Sequence, residues 1–423
     1  MMTPRRLALE VLGRVERGQY AGLALDAALE RSDLSSADRA FATALVYGVL
    51  EKRRRLDFAL SALSARPLSE IGGEVAMLLR LGLYQLACLD RVPDHAAVNE
   101  TVALASRKTA GFVNAILRAF IRGGKQLPLP EKEPLDEWLA VRYSVSPALA
   151  SKLLAELGSE TAEAFFSALE TPPPLTLRVN TLRTSREALL GRLHAQGHDA
   201  RSTAQSRSGI VLPNGAPIRS LAGFEEGDFF VQDEASQLAV EALDARSGMR
   251  VLDVCACPGS KSFGLAIEMG GKGEVLSCDL HRSKLSLVSR GAERLGIGCL
   301  TVAERDARHA FPEWEGRADR VLCDVPCSGF GVIGKKPELR EKAPAESAAL
   351  PDIQRAILAR SATLLRHGGR LVYSTCTILP DENERNVARF LAETDGFRLL
   401  TERTLLPQTD GTDGFYFAVL ERL

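Results

Sequence analysis

The stretch Ala318-Asp319-Arg320-Val321-Leu322-Cys323-Asp324-Val325-Pro326-Cys327-Ser328-Gly329 decides how this chain is read. A short apolar, β-prone run breaks at Asp324 into Pro, Cys, Ser and Gly, the pattern of a buried strand that ends in a loop. The pattern recurs where Gly369-Arg370-Leu371-Val372-Tyr373 runs into Ser374-Thr375-Cys376-Thr377. It recurs upstream where Val251-Leu252-Asp253-Val254 runs into Cys255-Ala256-Cys257-Pro258-Gly259-Ser260-Lys261 and a helical pattern. From Ser236 onward strands at 250–255, 274–279, 299–304, 319–324 and 369–376 alternate with helices at 261–269, 282–295, 350–366 and 381–394. That rhythm predicts an α/β, doubly wound parallel sheet, closed by an antiparallel pair from 398–400 and 415–420. Ligands of such sheets collect at the carboxyl ends of the strands. Asp279, Asp306, Asp324, Cys327 and Cys376 are therefore expected along one edge, and an accessible thiolate there can attack an electron-poor ring carbon.

Working outward, residues 171–235 read as a small α+β module. Pro172-Pro173-Pro174 stops helix formation, Leu175–Asn180 alternates like a strand, 185–196 is helical, and 210–212 and 228–233 are further strands. Residues 126–170 form a helical linker entered through Gly123-Gly124 and Leu127-Pro128-Leu129-Pro130. Residues 1–125 are helical throughout, with Leu7, Val11, Leu12 and Val15 at helical spacing and Ser35-Ser36-Ala37-Asp38 as a capping sequence.

The net charge of −1 is unevenly spread: residues 1–125 hold 18 Lys and Arg against 13 Asp and Glu. A basic amino-terminal domain suits RNA binding at one end of the chain, and its run Glu51-Lys52-Arg53-Arg54-Arg55 reads as a solvated basic cluster at a helix end that complements the helix dipole. No apolar run approaches a membrane span, and the first residues lack a signal-peptide core, so a cytoplasmic protein without a membrane partner is expected. Eight cysteines show no C-x-x-C pair, which points away from a zinc site, and no metal is expected. The loop at 255–261 lacks the G-x-x-x-x-G-K-[ST] pattern of a triphosphate site.

Together, Asp-Val-Cys-Ala-Cys-Pro-Gly-Ser-Lys-Ser, Asp-Val-Pro-Cys-Ser-Gly-Phe-Gly and Ser-Thr-Cys-Thr resemble the RNA (cytosine-C5)-methyltransferases of the RsmB/Sun (Fmu) type. The likeness covers nearly the whole chain. It implies a NusB-like RNA-binding domain over 1–125, the 171–235 module as the amino-terminal extension of the catalytic core, and a class I, Rossmann-like methyltransferase domain over 236–423. It also implies S-adenosyl-L-methionine as cofactor, held by Cys255, Ala256, Cys257, Pro258, Gly259, Ser260 and Lys261 with Asp279, Asp306 and Asp324. By the same resemblance Cys376 attacks cytosine C6, Asp324 hydrogen-bonds the base, Cys327 assists the final elimination, and Lys261 supports the thiolate. The loop departs from the family's commonest pattern at Cys257 for Ala, Ser260 for Gly and Ser262 for Thr, all small residues. The expected substrate is 16S ribosomal RNA, bound by a monomer. Transfer RNA, or a non-catalytic NusB-type assembly role, stays open on these residues alone.

Overall fold

The computed structural model describes residues 2–423. It forms two compact units: one runs to Thr171 and includes Ile333–Pro344, and the other comprises Pro172–Val332 and Ala345–Leu423.

The first unit is helical: α1 (Pro4–Glu16), α2 (Ala21–Glu30), α3 (Ser36–Glu51), α4 (Arg53–Leu63), α5 (Gly73–Cys88), α6 (Asp94–Leu104), α7 (Ala110–Arg122), α8 (Leu135–Arg142), α9 (Pro147–Leu157) and α10 (Ser159–Ala168). Side-chain oxygens of Thr3, Ser35 and Ser146 accept from the first-turn amides of α1, α3 and α9, satisfying donors that have no partner inside the helix. Leu7, Val11, Leu45, Leu56, Leu79, Leu83 and Leu117 are fully buried in one core. Gly48 lets the Tyr84 ring lie against its helix, where any Cβ would collide with the ring.

The basic run 52–55 falls at the junction of α3 and α4, and its arginines are occupied. Arg53 pairs with Glu16 at 2.8 Å, Arg54 with Glu341 at 2.7 Å, and Arg55 donates to the Leu127 carbonyl at 3.2 Å. These three cations are engaged within the helical unit, so the run is more than the solvated helix-end face that its sequence suggests. The inserted segment 333–344 is held in a similar way. Arg340, 4% exposed, donates to the carbonyls of Glu51 (3.0 Å) and Tyr143 (3.3 Å). Those carbonyls end α3 and follow α8, where helix oxygens lack intrahelical partners and a cation is favoured.

In the second unit, β1 (Leu175–Val179), α11 (Arg186–Ala195), β2 (Arg201–Ser202), β3 (Gly209–Leu212) and β4 (Phe229–Val231) build an antiparallel sheet of order β2-β3-β1-β4. Strand β1 uses its two faces differently, as period-two geometry dictates. Leu177 and Val179 enter the module's own core. Arg178, fully buried, points the other way and pairs with Glu268 at 2.7 Å. Asn180 then donates to the Gly227 and Leu295 carbonyls, both at 2.8 Å. These polar contacts fix the module to the helices of the larger sheet.

That sheet follows from α12 (Glu234–Ala242), β5 (Arg250–Asp253), α13 (Ser260–Glu268), β6 (Glu274–Asp279), α14 (Arg282–Leu295), β7 (Leu300–Glu304), β8 (Ala318–Asp324), α15 (Leu350–Leu364), β9 (Leu365–Thr375), α16 (Glu384–Glu393), β10 (Phe397–Leu405) and β11 (Phe415–Arg422). Its order is β10-β11-β9-β8-β5-β6-β7, with β11 antiparallel to both neighbours and the pairs from β9 to β7 parallel. The central strands β5 and β8 bury most of their residues on both faces, whereas the edge strand β7 buries none. The reversed strand expected at the chain's end is present, and it lies inside the sheet, between β9 and β10.

Candidate active site

The register of β8 against β9 sets Asp324 opposite Ser374. Both strands break just beyond that pair, so Cys327 and Cys376 leave the sheet side by side. Their sulfurs are 3.1 Å apart, and the Cys376 amide donates to the Cys327 sulfur at 3.3 Å. The Cys327 loop is pinned from the far side as well. Gly331 donates to the Cys376 carbonyl at 3.0 Å and Gly414 to the Gly331 carbonyl at 2.9 Å. A Cβ at Gly331 would collide with the Gly414 carbonyl, so only glycine permits this backbone approach.

Asp324 anchors the polar side of the site. Its Oδ2 accepts from Lys261 Nζ at 2.6 Å, and its Oδ1 accepts from Ser374 Oγ at 2.8 Å. Burial alone lowers the Lys261 ammonium, but Asp324, with Cys376 and Asp253 beyond it, overrides that and raises it. The ammonium also lies 5.4 Å from the centre of the Phe415 ring. The Cys327 thiol is pushed well up by its hydrogen bond to Cys376 first, then by burial and by the negative charge of Cys376, Glu382 and Asp324. A proton on Cys327 is therefore held firmly.

Between β5 and α13, the loop 255–259 passes the ends of the neighbouring strands. Gly259 has φ +117°, and a Cβ there would run into the Phe263 ring. Asp279, at the end of β6, accepts from the Cys257 amide (3.2 Å) on one oxygen and the His281 amide (2.9 Å) on the other. The Cys257 thiol is a third donor to this carboxylate, which leaves one of its four lone-pair sites for a ligand hydroxyl. The Cys257 thiol is raised to about 12 by burial and then by Asp279, so it stays protonated and inert. Ser262, one of the departures from the family pattern, is fully buried and donates to Asp253 at 2.6 Å. Burial raises the Asp253 carboxyl to about 7 despite that bond. Asp306 lies two residues past the end of β7 and is engaged by a neighbour. The Arg308 guanidinium grips both of its oxygens, with a shortest contact of 2.6 Å, and holds its carboxyl down at about 2.

Four contributors escaped the sequence reading. Phe415 reaches Lys261 only through the antiparallel insertion of β11. Glu382 and Gln354 bracket the Cys327 loop from separate elements, and no local pattern marks either. Ser374 had a usable signal: two residues before Cys376 on an extended strand, it shares that residue's face.

A seven-stranded sheet with one reversed strand, a glycine loop after β5 and carboxylates at successive strand ends defines a Rossmann-like methyltransferase domain. The comparisons narrow the class. Residues 240–421 match the family model described as 16S rRNA methyltransferase RsmB/F, residues 2–122 the NusB family, and residues 148–219 the ferredoxin-like domain of RsmF/B-like methyltransferases. The chain is 36% identical to the probable ribosomal RNA small subunit methyltransferase B of Bacillus subtilis, over 99% of this chain and 98% of that one. It is also 36% identical to the ribosomal RNA small subunit methyltransferase B of Pseudomonas putida, over 100% and 99%. The crystal structure of PH0851 superposes with a TM-score of 0.85 at 26% identity, covering 100% of this chain and 99% of that one. The chain belongs to the RsmB/F family of 16S rRNA methyltransferases.

Proposed function

We propose that the protein methylates C5 of a cytosine in 16S ribosomal RNA, with S-adenosyl-L-methionine as methyl donor and a covalent bond from Cys376 to C6 of the base. The observation that carries this reading is the pair of sulfurs 3.1 Å apart beside the Lys261–Asp324 ion pair. C5 of cytosine is a weak nucleophile until C6 is saturated. The Cys376 thiolate attacks C6, which makes C5 enamine-like, and the Lys261 ammonium favours the thiolate. Asp324 accepts from the exocyclic amine and, taking a proton from Lys261, donates it to N3, where negative charge develops as the adduct forms. When bound, S-adenosyl-L-methionine supplies an electrophilic methyl group. Once Cys376 is bonded to C6, the hydrogen bond and negative charge of Cys376 that hold the Cys327 proton are gone. Cys327 loses that proton to solvent, its thiolate removes the C5 proton, and the C6–S bond breaks to release the product and regenerate the Cys376 thiolate. The base must be unstacked to be reached, which suits a loop or an incompletely assembled RNA.

The residues present fit that donor. Its sulfonium is cationic, the sheet edge is lined by Asp279, Asp306 and Asp324, and Lys261 there is neutralised by Asp324. Residues 255–261 would hold the methionine part, Asp279 the ribose and Asp306 the adenine side. Asp306 would have to share its oxygens with Arg308. Asp279→Ala is expected to weaken S-adenosyl-L-methionine binding by about tenfold to a hundredfold, the loss of a charge-assisted hydrogen bond, with the fold intact. Calorimetry reads this directly, and unchanged affinity removes Asp279 from the site.

The test of the whole reading is bisulfite sequencing of ribosomal and transfer RNA from cells with and without the gene. One 16S cytosine should lose protection in the deletion and regain it on complementation. Loss confined to transfer RNA would redirect the substrate, and no loss at any cytosine would refute C5 chemistry.

A further inference from the structure

The side chain of Glu382, six residues beyond Cys376 at the end of the short turn Pro380–Glu382, is 2% exposed. Its Oε2 accepts from two donors, the Ser328 amide at 2.9 Å and Gln354 Nε2 at 2.8 Å. Gln354, fully buried on α15, uses the same Nε2 to donate to the Pro326 carbonyl at 2.9 Å. The peptide groups on either side of Cys327 are thus held by two buried side chains that also hold each other. The frame has its own support. Tyr373 donates to the Glu382 carbonyl at 2.6 Å, and Ser328 Oγ donates to Thr377 Oγ1 at 2.7 Å, tying the two cysteine loops together. Glu382 Oε1, by contrast, is buried without a hydrogen-bond partner among the described residues. A carboxylate buried with one oxygen unsatisfied is a poor stabiliser, since the desolvation cost is not fully recovered.

We propose that Glu382 and Gln354 are positioning residues for Cys327, holding the carbonyl before it and the amide after it so that its sulfur stays against Cys376. This rests on the reading of Cys327 as the group that assists elimination. The charged and titratable groups facing Cys327 are Cys376 after β9, Glu382, Asp324 at the end of β8, and Tyr373 on β9. Of these, Glu382 alone both fixes the loop and adds negative charge from outside the reaction centre. That charge favours the protonated thiol and makes Cys327 a stronger proton acceptor once ionised.

Two variants separate geometry from charge. Because both donors converge on Oε2, Glu382→Gln can keep both bonds with its oxygen and place its amide at the unsatisfied position, removing only the charge. Gln354→Leu keeps the volume and frees the Pro326 carbonyl. Full-length protein is alkylated with iodoacetamide across pH, with Cys327 followed by peptide mass spectrometry, and turnover is assayed on transcribed 16S RNA. In Glu382→Gln the midpoint for Cys327 alkylation should fall by half a pH unit or more. In Gln354→Leu, kcat should drop about a hundredfold with KM unchanged, as expected for a small misplacement of a reacting group, and RNA should accumulate on Cys376. A merely structural role would lower the melting temperature of both variants and leave midpoint and adduct unmoved, which overturns the inference. Cys327→Ala serves as reference. If it traps RNA while Gln354→Leu does not, the inference fails and the reading of Cys327 stands. If Cys327→Ala traps nothing, that reading fails instead, and an unmoved alkylation midpoint then overturns the role of Glu382 separately.

Discussion

Cys327→Ala is expected to leave RNA on the protein, as an adduct that survives denaturing electrophoresis. The variant retains the Cys376 thiol and the Lys261–Asp324 pair, so attack on C6 and methyl transfer should proceed through one turnover. The C5 proton then has no acceptor beside the C6–S bond, and multiple turnover should fall by about 10²–10⁴-fold, the usual effect of deleting an acid–base group. Cys376→Ala should abolish methylation before any covalent species forms, and the double variant should trap nothing. These outcomes follow from two sulfurs in contact with different duties. Were Cys327 only a packing residue, its alanine variant would melt earlier, trap no RNA and keep partial activity. An adduct appearing in Cys376→Ala and absent from Cys327→Ala would exchange the two roles.

Asp324→Asn should be nearly as damaging, for a different reason. The carboxylate satisfies Lys261 with one oxygen and Ser374 with the other. An amide can accept on one side only and carries no charge. Methylation should fall by about 10²–10³-fold, the scale for losing one preorganised electrostatic contact to a reacting group. Stability should fall too, by about 2 kcal/mol near neutral pH. This is below the value for a fully buried pair, because Asp324 keeps 26% exposure against 13% for Lys261. The sign of the pH dependence follows from Lys261. In the native protein its folded pKa lies above the ordinary 10.5. The stability it contributes is therefore present below pH 10.5 and lost as pH rises through the folded value. Without Asp324, burial is the leading influence and the folded pKa falls below that of the unfolded chain, so an ammonium at neutral pH becomes a cost. The gap in melting temperature between native and variant should be widest at pH 7–8 and narrow towards pH 10–11. A pH-independent gap would mean that Lys261 does not depend on Asp324 for its charge.

The elements that build the sheet were legible because each carries its own punctuation. The runs before Asp253 and Asp324 are apolar, β-prone and followed by loops rich in Pro, Gly and Ser, so their ends are specified locally. The carboxylates and thiols at those ends were legible for the same reason. Contacts made by chain segments far apart were hidden. Phe415 meets Lys261 because β11 inserts between β9 and β10, and nothing near Phe415 announces that pairing. Glu382 sits in a polar Asp-Glu-Asn-Glu string that reads as solvent-facing, yet it is buried. The Arg53-Arg54-Arg55 run, read as a solvated helix-end face, hides its partners in the same way. A charge cluster looks like a solvated face until its acceptors, Glu16, Glu341 and the Leu127 carbonyl, are brought in by tertiary structure.

The segment 333–344 leaves the methyltransferase sequence shortly after Cys327 and spends its length among the amino-terminal helices, with Ile333 fully buried and Arg340 donating to their carbonyl ends. No single cut in the gene can therefore separate the two units. A fragment starting after Thr171 carries an apolar residue and a bare guanidinium whose partners it has lost, only a few residues from a reacting cysteine. An isolated helical half likewise lacks the arginine that caps two of its helix ends. Dissecting this protein, or exchanging its front half with that of a relative, requires moving the segment together with the helices that receive it.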